Sequence, residues 1–363
     1  MSLEVGIVGL PNVGKSTLFS ALTKVEADAE NYPFCTIEPN YGIVKLNDSR
    51  VTRLAEIINP ERVIPATLKV VDIAGLVKGA SKGEGLGNQF LSNIREVDAI
   101  AHVVRCFEDN GVAHVENSHD PVGDVIVVQT ELILSDLEQV ERKIDKLHKQ
   151  IKGDHDLAEE LSVFEKIRDH LGDGDPAISA DLDTDEKLII GELNLLSMKP
   201  YIYIANVSED QLNEASYTEK QLRKFAFQEG VEVIPICAKV ESELSDMDEE
   251  ESDYFMEELG IDGTGIDQLT NSGYRMLEQI TYFTAGKNEV RAWEIRKGAT
   301  APEAAGKIHT DFEKGFIRAE VFHFDDIDRL GSESSVKEAG RWRLEGRDYV
   351  VNDGDIMHFR FNN

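Results

Sequence analysis

The sequence has few cysteines and lacks any long apolar run. Its three cysteines, Cys35, Cys106 and Cys237, are widely spaced and odd in number, which argues against a disulfide framework and predicts a reducing cytoplasm. Their spacing does not match that of metal ligands. No stretch approaches the ~20 apolar residues needed to span a bilayer, and the N-terminus shows no signal core. We therefore expect a cytoplasmic protein without a membrane partner.

Positive charge is also scarce, since the 363 residues carry a formal net charge of −31. Such an acidic chain disfavours non-specific contact with nucleic acid. The imbalance is uneven: residues 281–363 hold 13 lysine and arginine residues against 15 acidic ones, so they contribute only −2. The C-terminal segment is the part of the chain that we expect to approach RNA without strong repulsion.

What the chain does contain is a phosphate-binding loop. Residues 9–17 read G-L-P-N-V-G-K-S-T, which matches G-x-x-x-x-G-K-[ST], with an apolar strand pattern before it and a helix pattern after it. Glycines let backbone N–H groups close around phosphate oxygens, and the helix N-terminus adds partial positive charge. Lys15 is expected to reach the outer phosphates and Ser16 to ligate Mg²⁺. The loop predicts a nucleoside triphosphate site.

Two further motifs follow at the spacing of a GTPase-type fold. Thr36 lies in the loop N-Y-P-F-C-T-I-E-P and is the candidate that closes over Mg²⁺ as a first switch, although by itself it would be an ordinary surface threonine. Asp72 ends the strand pattern of residues 67–71 and begins D-I-A-G. In this motif the carboxylate supports Mg²⁺, and the N–H of Gly75 contacts the terminal phosphate.

The residue after this motif changes the expected chemistry. Ras-like enzymes place a glutamine there to orient the attacking water, whereas this chain has Leu76, which cannot do so. Either hydrolysis is slow or another group assists it. His114, on a polar loop after the strand pattern of residues 99–106, is a candidate. A solvated loop histidine is the alternative, and spacing alone favours that alternative.

The base-recognition motif departs from that of GTPases. Residues 206–209 read N-V-S-E in place of N-K-x-D, so Val207 replaces the lysine that packs over guanine and Glu209 replaces the aspartate that accepts from it. The bidentate hydrogen bonds to guanine are therefore lost. Without them the site no longer discriminates strongly in favour of guanine. The Asn206 carbonyl can still accept from an adenine amino group. Cys237 and Ala238 resemble the loop that lines the base in GTPases.

Periodicity divides the rest of the chain. Apolar residues from Ile133 to Ile151 follow a heptad spacing, and residues 157–171 supply a return stripe, which predicts an antiparallel helical hairpin followed by one more helix over 185–197. The acidic segment 241–258 indicates a solvated helix face rather than a metal site. We expect three domains: a nucleotide-binding domain in 1–128 and 199–280, a helical coiled-coil insertion in 129–198, and an α+β module in 281–363.

Taken together, these motifs resemble those of the YchF / Obg-like ATPase family along essentially the whole chain. The most specific segments are N-V-S-E at 206–209 and A-T-A-P-E-A-A-G-K-I-H-T-D-F-E-K-G-F-I-R at 299–318. The resemblance implies an α/β P-loop NTPase domain with a doubly wound sheet, an inserted coiled-coil arm and a C-terminal TGS module of ubiquitin-like β-grasp fold. It also implies a preference for ATP, slow hydrolysis, and binding to the ribosome as the large subunit or the 70S particle.

The same resemblance implies roles for individual residues. It assigns Ser16 and Thr36 to Mg²⁺, places Asn206 and Val207 at the base, and matches His114 to a loop histidine proposed to act in catalysis beside Lys15 and Gly75. The residues assigned to the phosphates are Asn12, Val13, Gly14, Lys15, Ser16 and Thr17.

Three expectations about cofactors and partners remain. Asn12 matches a loop asparagine that supports K⁺ stimulation in related proteins, so K⁺ is a candidate cofactor beside Mg²⁺. RNA or tRNA is a candidate partner of the C-terminal module, and the chain is expected to be a monomer. The alternatives to a hydrolysing switch are a nucleotide-gated scaffold, in which hydrolysis is incidental, and a GTPase, which Val207 and Glu209 disfavour.

Overall fold

The computed structural model describes residues 4–24, 40–73, 86–107, 120–150 and 155–362. The chain forms two compact units, the first comprising Met1–Ile43 with Lys69–Leu269 and the second comprising Val44–Leu68 with Thr270–Asn363. This division differs from the predicted domains, since the helical insertion lies within the first unit and the second unit resumes at Thr270 rather than at residue 281. A further difference concerns residues 44–68. The sequence assigned residues 44–68 to the nucleotide-binding domain, whereas they pack within the second unit.

The secondary structure alternates between strands and helices through most of the described chain. The strands are β1 (Glu4–Val8), β2 (Tyr41–Lys45), β3 (Arg62–Ile64), β4 (Thr67–Asp72), β5 (Ala99–Arg105), β6 (Tyr201–Asn206), β7 (Val233–Ile236), β8 (Gln279–Ala285), β9 (Glu289–Arg296), β10 (Phe316–His323), β11 (Arg343–Glu345) and β12 (Asp355–Phe361). The helices are α1 (Lys15–Lys24), α2 (Ser49–Ile58), α3 (Leu86–Glu96), α4 (Pro121–Gln150), α5 (His155–Gly172), α6 (Thr184–Gly191), α7 (Tyr217–Glu229), α8 (Ala238–Leu244), α9 (Glu249–Leu259), α10 (Gly265–Met276), α11 (Ala301–Ile308), α12 (Thr310–Lys314), α13 (Phe324–Leu330) and α14 (Glu333–Glu338).

A six-stranded sheet in the order β2-β4-β1-β5-β6-β7 forms the centre of the nucleotide-binding fold. β1 runs parallel to β4 and β5, and β6 runs parallel to β5 and β7. All seven residues of β5 are buried, as expected of a central parallel strand covered on both faces. Because parallel strands share one carboxyl edge, the loop after β1 and the end of β4 come together there. The sheet confirms the predicted P-loop NTPase class.

The helical insertion is confirmed by its core. Apolar residues of α4 and α5 at the predicted spacing are buried together: Ile133, Val140, Ile144, Leu147, Val163, Phe164, Ile167 and Leu171. The helix predicted over 185–197 is shorter than expected. α6 ends at Gly191, Asn194 adopts a left-handed conformation with φ 46°, and a separate 3₁₀ helix spans Leu196–Met198. A left-handed residue interrupts a right-handed helix. The apolar pattern continues past this break, which is why the sequence predicted one longer helix.

The second unit contains a mixed sheet in the order β11-β10-β12-β8-β9-β3. β8 and β9 form an antiparallel hairpin, β12 lies parallel to β8, and β10 lies antiparallel to both β12 and β11. α11 comes between β9 and β10 in the chain and buries its alanines against this sheet. This order confirms the predicted β-grasp fold. Residues 349–351 form no strand, since only an isolated bridge joins Val350 to Thr300.

Residues 44–68 join the second unit for two reasons. β3 adds a parallel edge strand beside β9. Val51 and Leu54 of α2 are buried in one cluster with Phe283 and Phe322. Burial of these side chains supplies the hydrophobic stabilisation that holds the segment there. None of the helices in the described ranges is both long and apolar enough to cross a membrane.

Candidate functional site

The loop between β1 and α1 turns through three residues with positive φ: Gly9 at 154°, Asn12 at 63° and Gly14 at 99°. Residues with a side chain rarely adopt a positive φ, and at Gly9 and Gly14 there is also no room for a Cβ atom. A Cβ at Gly9 would lie 2.5 Å from the carbonyl oxygen of Val103, and one at Gly14 would overlap the side-chain nitrogen of Asn206. The loop is therefore packed closely against β5 and β6.

Lys15 is the buried cation of the site. Its side chain is only 7% exposed, and its Nζ donates to the carbonyl of Leu10 over 2.8 Å. Burial lowers the pKa of Lys15 to about 8, and the charge of Asp72 opposes this shift. The ammonium group therefore remains protonated at neutral pH in a poorly solvated position, where an anionic ligand would interact with it strongly.

Asp72 lies at the end of β4, where it is paired in register with Ile7 of β1, two residues before the loop. Burial raises the pKa of Asp72, while Lys15 acts in the opposite direction. Ser16 and Thr17 lie in the first turn of α1 and have exposed side chains. The described part of the site thus combines a carboxylate, an ammonium and a hydroxyl at one edge of the sheet.

Asn206 connects three segments of this edge. Its Nδ2 donates to the carbonyl of Val13 over 2.8 Å, and its Oδ1 accepts from the backbone N–H of Ala238 over 3.2 Å. Its own carbonyl accepts from the N–H of Cys106 over 2.8 Å. Asn206 is 5% exposed. The side-chain amide therefore joins the loop to the segment that begins α8, while the backbone carbonyl of Asn206 pairs with the residue that follows β5. The contact of Asn206 with the base stays a prediction.

The other residues predicted at the base are divided between core and surface. Val207 is 2% exposed and packs in a core cluster with Tyr203 and Cys237. Glu209 is exposed and begins a short 3₁₀ helix. Cys237 and Ala238 are buried at the start of α8, and burial raises the pKa of the Cys237 thiol.

Four residues that the sequence singled out lie outside the described ranges: Thr36, Gly75, Leu76 and His114. A different histidine was missed. His102, on β5, is 4% exposed, and burial together with the charge of Lys15 lowers its pKa to about 3. Its only sequence signal is a polar residue within an apolar strand. Among the described residues, no group of carboxylate, histidine and cysteine side chains is arranged to bind a metal ion by itself.

Comparison with known proteins covers the chain from end to end. A family model described as a 50S ribosome-binding GTPase matches residues 4–151, and the model YchF-GTPase_C, described as a protein of unknown function, matches residues 279–362. Proteins named ribosome-binding ATPase YchF are 55% identical in Haemophilus ducreyi and 50% identical in Bacillus subtilis, each over 100% of both chains. This chain belongs to the YchF family.

A solved structure supports the YchF assignment at the level of the fold. The YchF GTPase of Schizosaccharomyces pombe is 40% identical, covers 99% of this chain and 98% of its own, and has a TM-score of 0.91. The names of the YchF relatives differ in the nucleotide, since the bacterial proteins are called ATPases and the yeast protein is called a GTPase. The residues around Asn206 therefore bear directly on which nucleotide this YchF chain uses.

Proposed function

We propose that this chain is a Mg²⁺-dependent, ATP-binding molecular switch that hydrolyses ATP slowly and associates with the ribosome. The observation that carries the proposal is the sheet edge at which the positive-φ loop, buried Lys15 and Asp72 meet. Backbone N–H groups, a desolvated ammonium and the start of a helix are the features that bind phosphates. Full-length relatives named ribosome-binding ATPase support both the activity and the partner.

The preference for ATP rests on the absence of the guanine-reading side chains. Val207 is buried in the core, and Glu209 is one methylene longer than the aspartate of GTPases. A site without paired hydrogen bonds to guanine cannot discriminate in its favour. Displacement of a labelled ATP analogue by ATP and by GTP tests the preference, and GTP that competes at an equal or lower concentration would contradict it.

The residues assigned to the phosphates are Asn12, Val13, Gly14, Lys15, Ser16 and Thr17. For Mg²⁺ we propose the exposed Ser16 hydroxyl and the Asp72 carboxylate, because both are hard oxygen ligands. Thr36 would complete the set. When bound, Mg²⁺ would neutralise phosphate charge. We place the base beside the segments that contain Asn206, Val207, Glu209, Cys237 and Ala238.

Hydrolysis would depend on Lys15, on the N–H of Gly75 and on His114, because Leu76 cannot orient water. His114→Ala should bind ATP normally but lose turnover. Normal hydrolysis by this variant would exclude the histidine as the acting group. If turnover is lost while cellular function persists, the scaffold alternative is favoured.

Asn12 is the proposed support for K⁺. It is exposed on the loop with φ 63°, a conformation that asparagine tolerates better than most residues. Turnover should be higher in K⁺ than in Na⁺ at equal ionic strength, and Asn12→Ala should remove the difference. Equal turnover of the unaltered chain in the two salts would remove K⁺ from the proposal.

The ribosome, as the large subunit or the 70S particle, is the proposed partner, and the protein is proposed to be a cytoplasmic monomer. Residues 281–363 are nearly neutral in a chain of net charge −31, so contact with RNA or tRNA is proposed for this module. Co-sedimentation with ribosomes, with and without a non-hydrolysable ATP analogue, tests the association. Failure to co-sediment in either state would contradict it.

A further inference from the structure

α3 is the first element described after Asp72, and its C-terminal end is capped by the side chains of Asn194 and Lys199, which lie where the chain leaves the helical insertion. The carbonyl of Arg95 accepts from Asn194 Nδ2 over 2.9 Å and from Lys199 Nζ over 3.2 Å. Lys199 also donates to the carbonyl of Val97 over 2.6 Å and to Asn194 Oδ1 over 3.1 Å. Helix ends leave carbonyls unpaired and favour a nearby cation, so this contact stabilises the end of α3.

The side chain of Arg95 extends the connection to α4. Its Nη1 donates to Gln139 Oε1 over 2.6 Å and to the carbonyls of Leu193 and Asn194 over 3.3 and 3.1 Å. Gln139 Nε2 donates to the carbonyl of Leu193 over 2.7 Å. We call Arg95, Gln139, Asn194 and Lys199 the arm-root cluster. Both ends of the Gln139 amide are therefore used, the oxygen by Arg95 and the nitrogen by the carbonyl of Leu193.

Segment 193–199 is also bonded firmly to α4 one turn away. Asp136 is fully buried, and its carboxylate accepts from the backbone N–H groups of Leu196 and Ser197 over 2.9 and 2.7 Å. The Ser197 hydroxyl donates to the same carboxylate over 2.7 Å. The segment and α4 therefore behave as one body at the base of the arm, and the arm-root cluster joins that body to α3.

We propose that the arm-root cluster couples the position of α3 to the orientation of the helical arm formed by α4 and α5. In proteins of this fold, the segment that follows the D-x-x-G motif rearranges with the terminal phosphate. Hydrogen bonds lengthened beyond ~3.5 Å are lost. A shift of α3 must therefore carry segment 193–199 and α4 with it or break the cluster. This inference rests on the proposed function, and it makes the arm the element that reports the nucleotide state.

The test is a distance measurement on the full chain. Spin labels on Lys149→Cys, at the end of α4, and on Lys224→Cys, in α7, report arm orientation, because both lysines are exposed. Cys106 and Cys237 are buried, and Cys35 is replaced by serine. We expect a non-hydrolysable ATP analogue to shift the distance distribution. Gln139→Leu removes the hydrogen bonds to Arg95 and Leu193. It should reduce the shift of the distance distribution by roughly twofold or more, because altering one residue of a coupled network can change the coupling by that much.

Gln150→Leu is the matched control, since it makes the same substitution on an exposed residue of the same helix and should leave the shift unchanged. Asn194→Gly is the milder second variant. It removes the side-chain amide but suits the left-handed backbone at this position, so it keeps the test available if Gln139→Leu fails to fold. Asn194→Gly is also expected to reduce the shift. Binding of the ATP analogue is measured in parallel for every variant.

The outcomes separate this inference from the proposed function. If the unaltered chain binds the ATP analogue and its arm does not move, the inference is overturned and the proposed ATP site stands. If the arm moves equally in the unaltered chain, Gln139→Leu and Asn194→Gly, the coupling does not depend on the side chains of Gln139 and Asn194, and the inference is overturned. If the unaltered chain fails to bind the ATP analogue, the proposed function is overturned and the inference with it.

Discussion

The Nδ2 of Asn206 donates to the carbonyl of Val13 over 2.8 Å, joining residues that are 193 positions apart in the chain. Val13 lies in the phosphate-binding loop, and Asn206 ends β6. The same amide accepts from the N–H of Ala238 through its Oδ1. The phosphate loop and the predicted base-lining segment are therefore joined through one side chain.

Asn206→Ala should lower both stability and nucleotide affinity. The substitution leaves a buried carbonyl and a buried N–H without their side-chain partner, which costs about 1–3 kcal/mol per group in the free energy of unfolding. Urea unfolding and titration with an ATP analogue measure the two effects. Asn213→Ala, which removes an exposed amide donating to Leu259, is the control. Equal behaviour of the two variants would show that the connection through Asn206 has no such role.

Lys15→Ala should weaken binding of ATP by roughly 10- to 100-fold, because a charge-assisted hydrogen bond to phosphate is lost from a poorly solvated site. Lys24→Ala, at the other end of α1, removes an exposed ion pair with Asp246 and should change affinity little. Isothermal titration with an ATP analogue measures both variants. Retained affinity in Lys15→Ala would exclude this loop as the phosphate site.

Restoring the GTPase residues at the base motif should have unequal consequences. Val207→Lys inserts a charge into the core and should destabilise the chain by several kcal/mol, since the cation has no buried partner there. Glu209→Asp alters an exposed residue and should leave stability unchanged while raising the affinity for GTP relative to ATP. Thermal unfolding and nucleotide competition measure these effects. A stable Val207→Lys variant would contradict the core position of Val207.

Glu241, on α8, should make stability depend on pH. Burial raises the pKa of Glu241 from 4.5 to about 7, although its Oε1 accepts from the N–H of Gly265 over 2.6 Å. Between pH 4.5 and about 7 the folded state keeps a proton on the Glu241 carboxyl and the unfolded state does not. The contribution of Glu241 to the free energy of unfolding is therefore most favourable below pH 4.5 and is lost as pH rises towards 7. The change is on the order of 3 kcal/mol at about 1.4 kcal/mol per pKa unit.

Glu241→Gln should remove the pH dependence of stability that Glu241 causes. The urea midpoint of the variant, compared with that of the unaltered chain at the same pH, should therefore rise between about pH 5 and 7.5. Glu250→Gln, on the exposed face of α9, is the control and should preserve the pH dependence. If the Glu241→Gln and unaltered chains change in parallel with pH, the carboxyl does not titrate in this interval.

Much of the fold could be predicted because its signals are local. A glycine-rich loop between an apolar run and a helix pattern indicates the phosphate site, and heptad spacing indicates the helical pair of α4 and α5. The strands of the β-grasp module alternate with glycine turns. Asp72 and Lys15 were predicted at one site because D-x-x-G follows the phosphate-binding loop at the spacing of a GTPase-type fold.

The sequence by itself determined the nucleotide fold, the helical insertion, a C-terminal α+β module and the residues of the phosphate loop, because each follows from periodicity or from a motif of adjacent residues. Only the tertiary structure decided that β3 completes the second sheet, that Val207 is buried in the core, and that Asn206 joins the loop to α8. It also decided that Arg95 connects α3 to the arm. These features depend on which strand edges and which unpaired backbone groups come together in space, and spacing along the chain does not specify that.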